Sequence, residues 1–532
     1  MESDDLWSRI QQQNADIDQQ VEEAQLRDRQ RDASELLTLD GSRKTWVWAD
    51  AAAATAATAP SVRVAPSAFG LGLFAARPVA AGEVVLREAP AFSASPSEAA
   101  PDLLQGLRDA NSAGADAEGF LLGVVAAVLA LWLRSDEATR SDLIGSFFCT
   151  PDAGDLLQYL ESLVADVQRL YPPLAASSVH DVAQVLSVWL LSSHNLSSGS
   201  VDWSDGAALF RVAHRANHSC DPNIAYRYEA PGHLVYRALR PITAGEPLCF
   251  SYLFSHELLM PSFLRRRVLE ARKHFRCACS RCASAADAGR ALPCDECAAK
   301  CAPAPCSKPC SRAYRGGSAG VGDDANSWER CAICGSGAVP SAAAFAREEE
   351  LCAQAISQHP LSAEEQIREL EQHAGWHGHW VWASALWRCG LHLLRDGVLQ
   401  ADEARARLGW PLLQAYVRWA DEHVGVASRH YLSSQMAEIF ACLSAFVSGT
   451  QDESAAALAV QLCAPFLRAL ENEYGVDDED CVRMRRFFLH HCGRCGKRAP
   501  RSVCSRCHKV AYCSSGCQRA AWAEHKRWCV KV

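Results

Sequence analysis

Arg215-Ala-Asn-His-Ser-Cys-Asp-Pro-Asn223 decides how this chain is read, together with Pro241-Ile-Thr-Ala-Gly-Glu-Pro-Leu-Cys-Phe-Ser-Tyr252 downstream. Asn217 and His218 set an amide beside an imidazole, and Ser219, Cys220, Asp221 and Pro222 are turn residues that take the chain sharply away. Such a block is suited to holding something polar. Upstream, Phe69-Gly-Leu-Gly-Leu-Phe74 leads to Arg77-Pro-Val-Ala-Ala-Gly-Glu83 and the apolar Val84-Val85-Leu86. The phrase returns as Arg240-Pro-Ile-Thr-Ala-Gly-Glu246, so the echo predicts two similar turns in one sheet-rich domain. Between Ser93 and about Leu191 apolar residues recur at helical steps, which predicts a helical insertion. Alternation in Ile224–Tyr228 and Leu234–Ala238 around Pro231-Gly232 predicts a hairpin.

Outward from this centre, 532 residues suggest three or four units at roughly 150 residues each. The net charge of −9 argues against a chain that binds nucleic acid directly. The clusters Arg265-Arg266-Arg267 and Lys497 to Arg501 read as solvated faces. MESDDLW lacks a charged-then-apolar leader, so export is not expected. Gly119–Leu133 is shorter than the ~20 residues that cross a bilayer and reads as a buried helix, with no membrane partner. Residues 1–45 form a polar or helical segment, with Leu6, Ile10, Ile17, Val21 and Ala24 at helical spacing. Residues 341–489 read as helical pairs, the tryptophans Trp376, Trp380, Trp382 and Trp387 serving as packing.

Twenty-five cysteines without an export signal point to metal in a reducing compartment, cytoplasm or nucleus. Cys492, Cys495, Cys504, Cys507, Cys513, Cys517, His525 and Cys529 have gaps of 2, 8, 2, 5, 3, 7 and 3, enough ligands for two closed tetrahedral zinc shells. Phe275-Arg-Cys277-Ala-Cys279-Ser-Arg-Cys282 supplies three thiols, so a fourth ligand must come from elsewhere. Cys294, Cys297, Cys331 and Cys334 make a further four-cysteine set, the preferred one. Cys301, Cys306 and Cys310 lie between them, and Cys306-Ser-Lys-Pro-Cys310 echoes Cys513-Ser-Ser-Gly-Cys517, so a partial second finger stays open. Cys149, Cys389 and Cys463 read as small core residues.

The last series resembles the MYND zinc finger at every ligand, with Tyr512, Gln518 and Trp522 adding to the likeness. The resemblance implies interleaved ligands: Cys492, Cys495, Cys513 and Cys517 on one ion, Cys504, Cys507, His525 and Cys529 on the other. It also implies a protein-interaction role, often with proline-rich peptides. Gly70-Leu-Gly72-Leu, the insertion, Asn195, the NHSCDPN block, Gly245-Glu246, Tyr252 and the cysteine triplet follow the order of the SET and MYND domain protein lysine methyltransferases. That resemblance implies S-adenosylmethionine held by Gly70, Gly72, Asn195, Asn217, His218 and Phe275. Tyr252 is then the catalytic residue, and Cys220 completes the zinc shell of Cys277, Cys279 and Cys282. The substrate is a protein lysine, which must lose its proton from a free pKa of ~10.4 in a dry channel beside a sulfonium.

The expected architecture is α+β: a β-rich SET domain at 61–283 with its insertion at about 93–191 and a post-SET zinc site at 277–282. A cysteine-rich segment (284–340), a helical, tetratricopeptide-like array (341–489) and the finger (490–532) follow. Two departures qualify the resemblance. The finger closes the chain instead of interrupting the SET domain. Lys273 stands where the family often has an aromatic hydroxyl, and a cation there repels a lysine substrate unless it faces solvent. The alternative is a weak or inactive SET-fold scaffold that binds partners through its finger and helices.

Overall fold

Strands β1 (Val62–Ser67) and β2 (Gly70–Ala75) pair antiparallel, with Ala65 opposite Gly72. The computed structural model describes residues 61–67, 70–110, 119–147, 154–195, 206–229, 232–284, 287–297, 311–314, 328, 330–331, 334–337, 339–356, 376–423 and 426–531. The 1–45 segment, Cys149, Cys301, Cys306 and Cys310 lie outside them. The chain divides into two compact units after Ala56, and every described residue belongs to the second.

The two echoed phrases fold as matching turns that face each other, Val79 bridging to Ile242. Gly82 and Gly245 adopt φ of 81° and 82°, a region cheap only for glycine. In each turn a glutamate carboxylate accepts the N–H three residues back: Glu83 from Ala80 (2.9 Å) and Glu246 from Thr243 (3.0 Å). Strands β3 (Val84–Glu88) and β4 (Phe92–Ala94) follow.

Among the described residues the insertion holds five α-helices, α1 (Pro101–Ala110), α2 (Gly119–Arg134), α3 (Glu137–Ser146), α4 (Gly154–Leu170) and α5 (Val179–Ser192). They bury a core of their own that includes Leu103, Val128, Leu160, Val167 and Trp189. Asp136 caps α3 and Ser178 caps α5, each accepting an otherwise orphaned N–H. The chain returns through β5 (His194–Asn195) and β6 (Ala207–Leu209), which join β4 in a sheet of order β4-β6-β5.

Next come β7 (Asn217–His218) and the expected hairpin of β8 (Ile224–Glu229) and β9 (His233–Ala238), which extends β3 into a sheet of order β3-β9-β8. Strand β10 (Cys249–Phe250) lies parallel to β7, Cys249 opposite Asn217 and Phe250 opposite His218. Beyond it run α6 (Ser262–Lys273), α7 (Ser280–Ala283), β11 (Asp287–Pro293) and β12 (Ser311–Tyr314).

The helical array comprises α8 (Ala342–Ile356), α9 (Trp380–Leu399), α10 (Glu403–His423), α11 (Ser433–Thr450), α12 (Glu453–Cys463), α13 (Leu467–Tyr474) and α14 (Glu479–His490). Helices α9 and α10 touch through glycine: a Cβ on Gly397 would lie 2.4 Å from the Ala406 nitrogen. Trp376, Trp380, Cys389 and Cys463 are buried among these helices. The run Glu453–Tyr474 is apolar and long enough to cross a membrane, but 67% of its window is buried inside the protein, where it serves as core. The finger, with β13 (Ser502–Val503), β14 (Ala511–Tyr512) and α15 (Ser515–His525), packs on this array. A Cβ on Gly496 would collide with the Glu453 carbonyl, Gln461 donates to the Gly493 carbonyl (3.3 Å), and Lys509 pairs with Glu471 (2.5 Å).

Strand β11 ties the sheet-rich region to the array. Arg290 makes two 2.8 Å bonds to the carboxylate of Glu348 on α8, and His379, before α9, adds a third at 3.2 Å. Burial alone would raise the Glu348 carboxyl, but the hydrogen bonds from Arg290 and His379 overrule it and hold it at about 2, below its ordinary 4.5. A lowered folded-state pKa means stabilisation that is complete above pH 4.5 and lost as pH falls toward 2, worth about 3 kcal/mol in all. The gap in thermal stability between wild type and Glu348→Gln should therefore narrow across that window; a gap constant with pH would discount the carboxylate's charge.

Candidate active site and metal centres

Two residues of parallel pairing bring the two ends of the site together. The β7–β10 contact is flanked by Ser219 N–H donating to the Phe250 carbonyl and Asn223 N–H to the Cys249 carbonyl, both 3.0 Å. The Asn223 side chain, 2% exposed, accepts from Cys249 N–H (2.9 Å) and donates to the Pro247 carbonyl (2.8 Å). Tyr252 thereby arrives beside the NHSC block, its ring centroid 5.3 Å from that of His218 and 6.1 Å from that of Phe275.

Each sequence-predicted residue has a definite place here. Asn217 Nδ2 lies 3.4 Å from both Ser67 Oγ and the Leu71 carbonyl, at the limit of hydrogen bonding. A Cβ on Gly72 would stand 3.1 Å from that nitrogen, so glycine keeps β2 close to the amide. Gly70 opens β2, and Asn195 pairs with Ala207 through its backbone, its side chain lying outside the described atoms. Tyr252 donates its hydroxyl to the Ala216 carbonyl (3.0 Å), and burial pushes the phenol above its usual range, so it stays protonated.

The His218 ring is engaged at both nitrogens. Its Nδ1 accepts the Tyr252 backbone N–H (3.0 Å) and its Nε2 lies 3.2 Å from Cys220 Sγ. With Nδ1 accepting, the ring's proton sits on Nε2, facing sulfur. Both nitrogens are committed inside the protein, which leaves the imidazole no polar atom for a cofactor.

Lys273, the departure noted in sequence, is partly buried and turns its ammonium toward the end of α5. Its ammonium donates to the Leu190 and Leu191 carbonyls (2.9 and 3.0 Å), groups orphaned at the end of α5 and made attractive by the helix dipole. It also stands 5.7 Å from the Tyr252 ring centroid, and burial, then the nearby Arg272, lower it to about 8.

A zinc–sulfur bond of 2.3 Å in a tetrahedron sets sulfurs about 3.8 Å apart. Among the described residues four groups meet that measure, each with its ligand atoms within 4.8 Å of one another: Cys220, Cys277, Cys279 and Cys282; Cys294, Cys297, Cys331 and Cys334; Cys492, Cys495, Cys513 and Cys517; Cys504, Cys507, His525 and Cys529. In the first, Cys220 Sγ is 3.5 Å from Cys282 Sγ and 3.9 Å from Cys277 Sγ. In the second, Cys294 and Cys334 sulfurs are 3.6 Å apart and those of Cys297 and Cys331 3.7 Å. In the last, His525 Nε2 faces Cys507 Sγ at 3.3 Å while the Tyr512 hydroxyl holds Nδ1 at 2.7 Å, fixing the ring.

In the arginine run at 265–267, Arg267 keeps to the solvated face that was expected, while Arg265 and Arg266 turn inward. Arg265 is 1% exposed and donates to Cys282 Sγ (3.4 Å), while Arg266 donates to the Cys277 and Cys282 carbonyls (3.0 and 2.9 Å). Clustered sulfurs at a metal site need such donors, and a position eleven to seventeen residues away gave no sign of it. Sequence reading also missed Tyr431 of the array, whose hydroxyl bonds Asp221 Oδ1 (2.7 Å) and whose ring lies 4.7 Å under Arg281. Arg281 in turn donates to the Cys220 carbonyl (3.0 Å), so the array supports the metal loop.

Two family models match the chain. The family model described as SET domain matches residues 70–253, and that of the MYND finger matches 492–529. The chain is similar to "Histone-lysine N-methyltransferase SMYD3" of Mus musculus, 43% identical over 77 residues, covering 14% of this chain and 17% of that protein. To "Protein-lysine N-trimethyltransferase SMYD5" of Gallus gallus it is 33% identical over 84 residues, covering 16% and 20%. The matches thus span a fifth or less of these relatives' lengths. Among solved structures, "Crystal structure of the SET domain of LSMT bound to MeLysine and AdoHcy" overlaps 83% of this chain and 94% of its own at 13% identity, with a TM-score of 0.30. The chain carries a SET domain at 70–253 and a MYND finger at 492–529.

Proposed function

We propose that this chain is an S-adenosylmethionine-dependent protein lysine methyltransferase whose finger and helical array engage partner proteins, proline-rich peptides among them, in cytoplasm or nucleus. One observation carries the reading: Tyr252 is held at both ends by the Arg215–Asn223 stretch, its amide by His218 and its hydroxyl by Ala216. The residues fit the cofactor. Gly72 keeps the β2 backbone open, Asn217 has only long contacts that a ligand can displace, and Phe275 offers an aromatic face. Gly70, Gly72, Asn195, Asn217 and Phe275 would hold it, with His218 behind them.

Bound there, S-adenosylmethionine supplies a methyl group already activated by a sulfonium, so the protein has to align more than to activate. Tyr252 is kept protonated by burial and cannot serve as a base. Its hydrogen is spent on Ala216, so the phenol oxygen offers lone pairs that accept an N–H from the incoming amine and orient the nitrogen. Burial around Tyr252 also disfavours a charged ammonium, which helps a substrate lysine arrive neutral.

The scaffold reading has one observation in its favour, the Lys273 ammonium fixed 5.7 Å from the Tyr252 ring. Calorimetry with S-adenosylmethionine separates the two: heat of binding is expected, and its absence would leave the scaffold. Given binding, Tyr252→Phe should cut methyl transfer on the order of 10²-fold with cofactor affinity unchanged; undiminished turnover would remove Tyr252 from the chemistry.

Four zinc ions are the proposed complement, two in the finger, one at Cys220 with the triplet and one at Cys294, Cys297, Cys331 and Cys334. Native mass spectrometry should count four, and Cys297→Ser three. A wild-type count of three would strike out the Cys294–Cys334 site.

A further inference from the structure

The His218 ring touches the two halves of the site at once. Tyr252 N–H points into Nδ1, and Nε2–H points at Cys220 Sγ, one of four sulfurs gathered within 4.8 Å. A thiol is a weak acceptor, whereas a metal-bound cysteine is a thiolate and accepts a charge-assisted bond. The tautomer that suits Tyr252 is therefore the one that an ion at Cys220 selects. In the other tautomer Nδ1–H would meet the Tyr252 N–H donor to donor, and the segment after β10 would lose its anchor.

We propose that His218 is a positioning residue linking the post-SET zinc to Tyr252: the ion fixes the ring's proton on Nε2, and the ring fixes the Tyr252 backbone. The assignment rests on the metal and Tyr252 roles proposed above. It gives the imidazole a task in place of the cofactor contact its position suggested. Zinc ligands commonly depend on such outer partners, whose loss costs roughly 10- to 100-fold in metal affinity.

The two nitrogens can be tested apart in the full-length, zinc-loaded protein. Asparagine reaches as far as Nδ1 and can still accept from Tyr252; glutamine reaches as far as Nε2 and can still donate to sulfur. His218→Asn should release one zinc to a chromophoric chelator roughly 10- to 100-fold faster than wild type, while His218→Gln should hold it. Hydrogen exchange of the 249–254 segment, read by mass spectrometry, should rise in His218→Gln more than in His218→Asn. Cys279→Ser, which removes the ion without touching the ring, should raise it too. Equal zinc release from wild type and His218→Asn, no change in 249–254 exchange in Cys279→Ser, or purified protein with no ion at these thiols would each overturn the link. Retention of the finger's two ions separates these outcomes from general unfolding. Neither readout needs a methyl donor, so failure here leaves the methyltransferase reading standing, and failure of cofactor binding leaves the link standing.

Discussion

The site depends on four residues of parallel backbone, Asn217 and His218 against Cys249 and Phe250. So short a ladder has little strength of its own, since a parallel pair gains its stability from the layers that cover it. Asn223 supplies what the ladder lacks: its buried amide binds the second strand on both sides, to Cys249 and Pro247, and also meets the Glu246 carboxylate at 3.0 Å. Glu246 belongs to one of the twin turns, so the fold that presents Tyr252 is braced by the same carboxylate that shapes the turn.

The cysteine groups able to hold metal stand where apolar residues run short. Between Cys277 and Cys334, and again in the last forty residues, small and polar side chains cannot bury enough surface to fix a backbone, and a structural zinc contributes about 10 to 16 kcal/mol in its place. Around the first cage the protein adds Arg265, Arg266 and Arg281, whose donors face sulfurs or the carbonyls of the ligand loops. The cage is in this sense a charge problem as much as a folding one.

Much of this was legible in the sequence, for a definite reason. Ligand spacing, the repeated turn phrase and the alternation of the hairpin are local patterns, and local patterns survive without coordinates. Cys220 joining the triplet came from resemblance and not from spacing, since fifty-six residues lie between Cys220 and Cys277. What stayed hidden was direction. Arg265 and Lys273 lie on one helix, yet a charged side chain looks alike in sequence whether it meets water, a thiolate or a helix end. The docking of the finger on α12 to α14 and the reach of Tyr431 to Asp221 pair residues far apart along the chain, and no short motif announces them.

The contact between Arg227 on β8 and helix α13 has a practical meaning for anyone dissecting this protein. The guanidinium lies 3.7 Å from the centre of the Tyr474 ring and pairs with Glu473 at 2.5 Å, while Asn472 donates to the Leu239 carbonyl at 3.2 Å. A fragment trimmed to the methyltransferase-like half would strand a cation on a bare sheet and uncover backbone that a distant helix had sealed. Modules that look separable on paper share one wall.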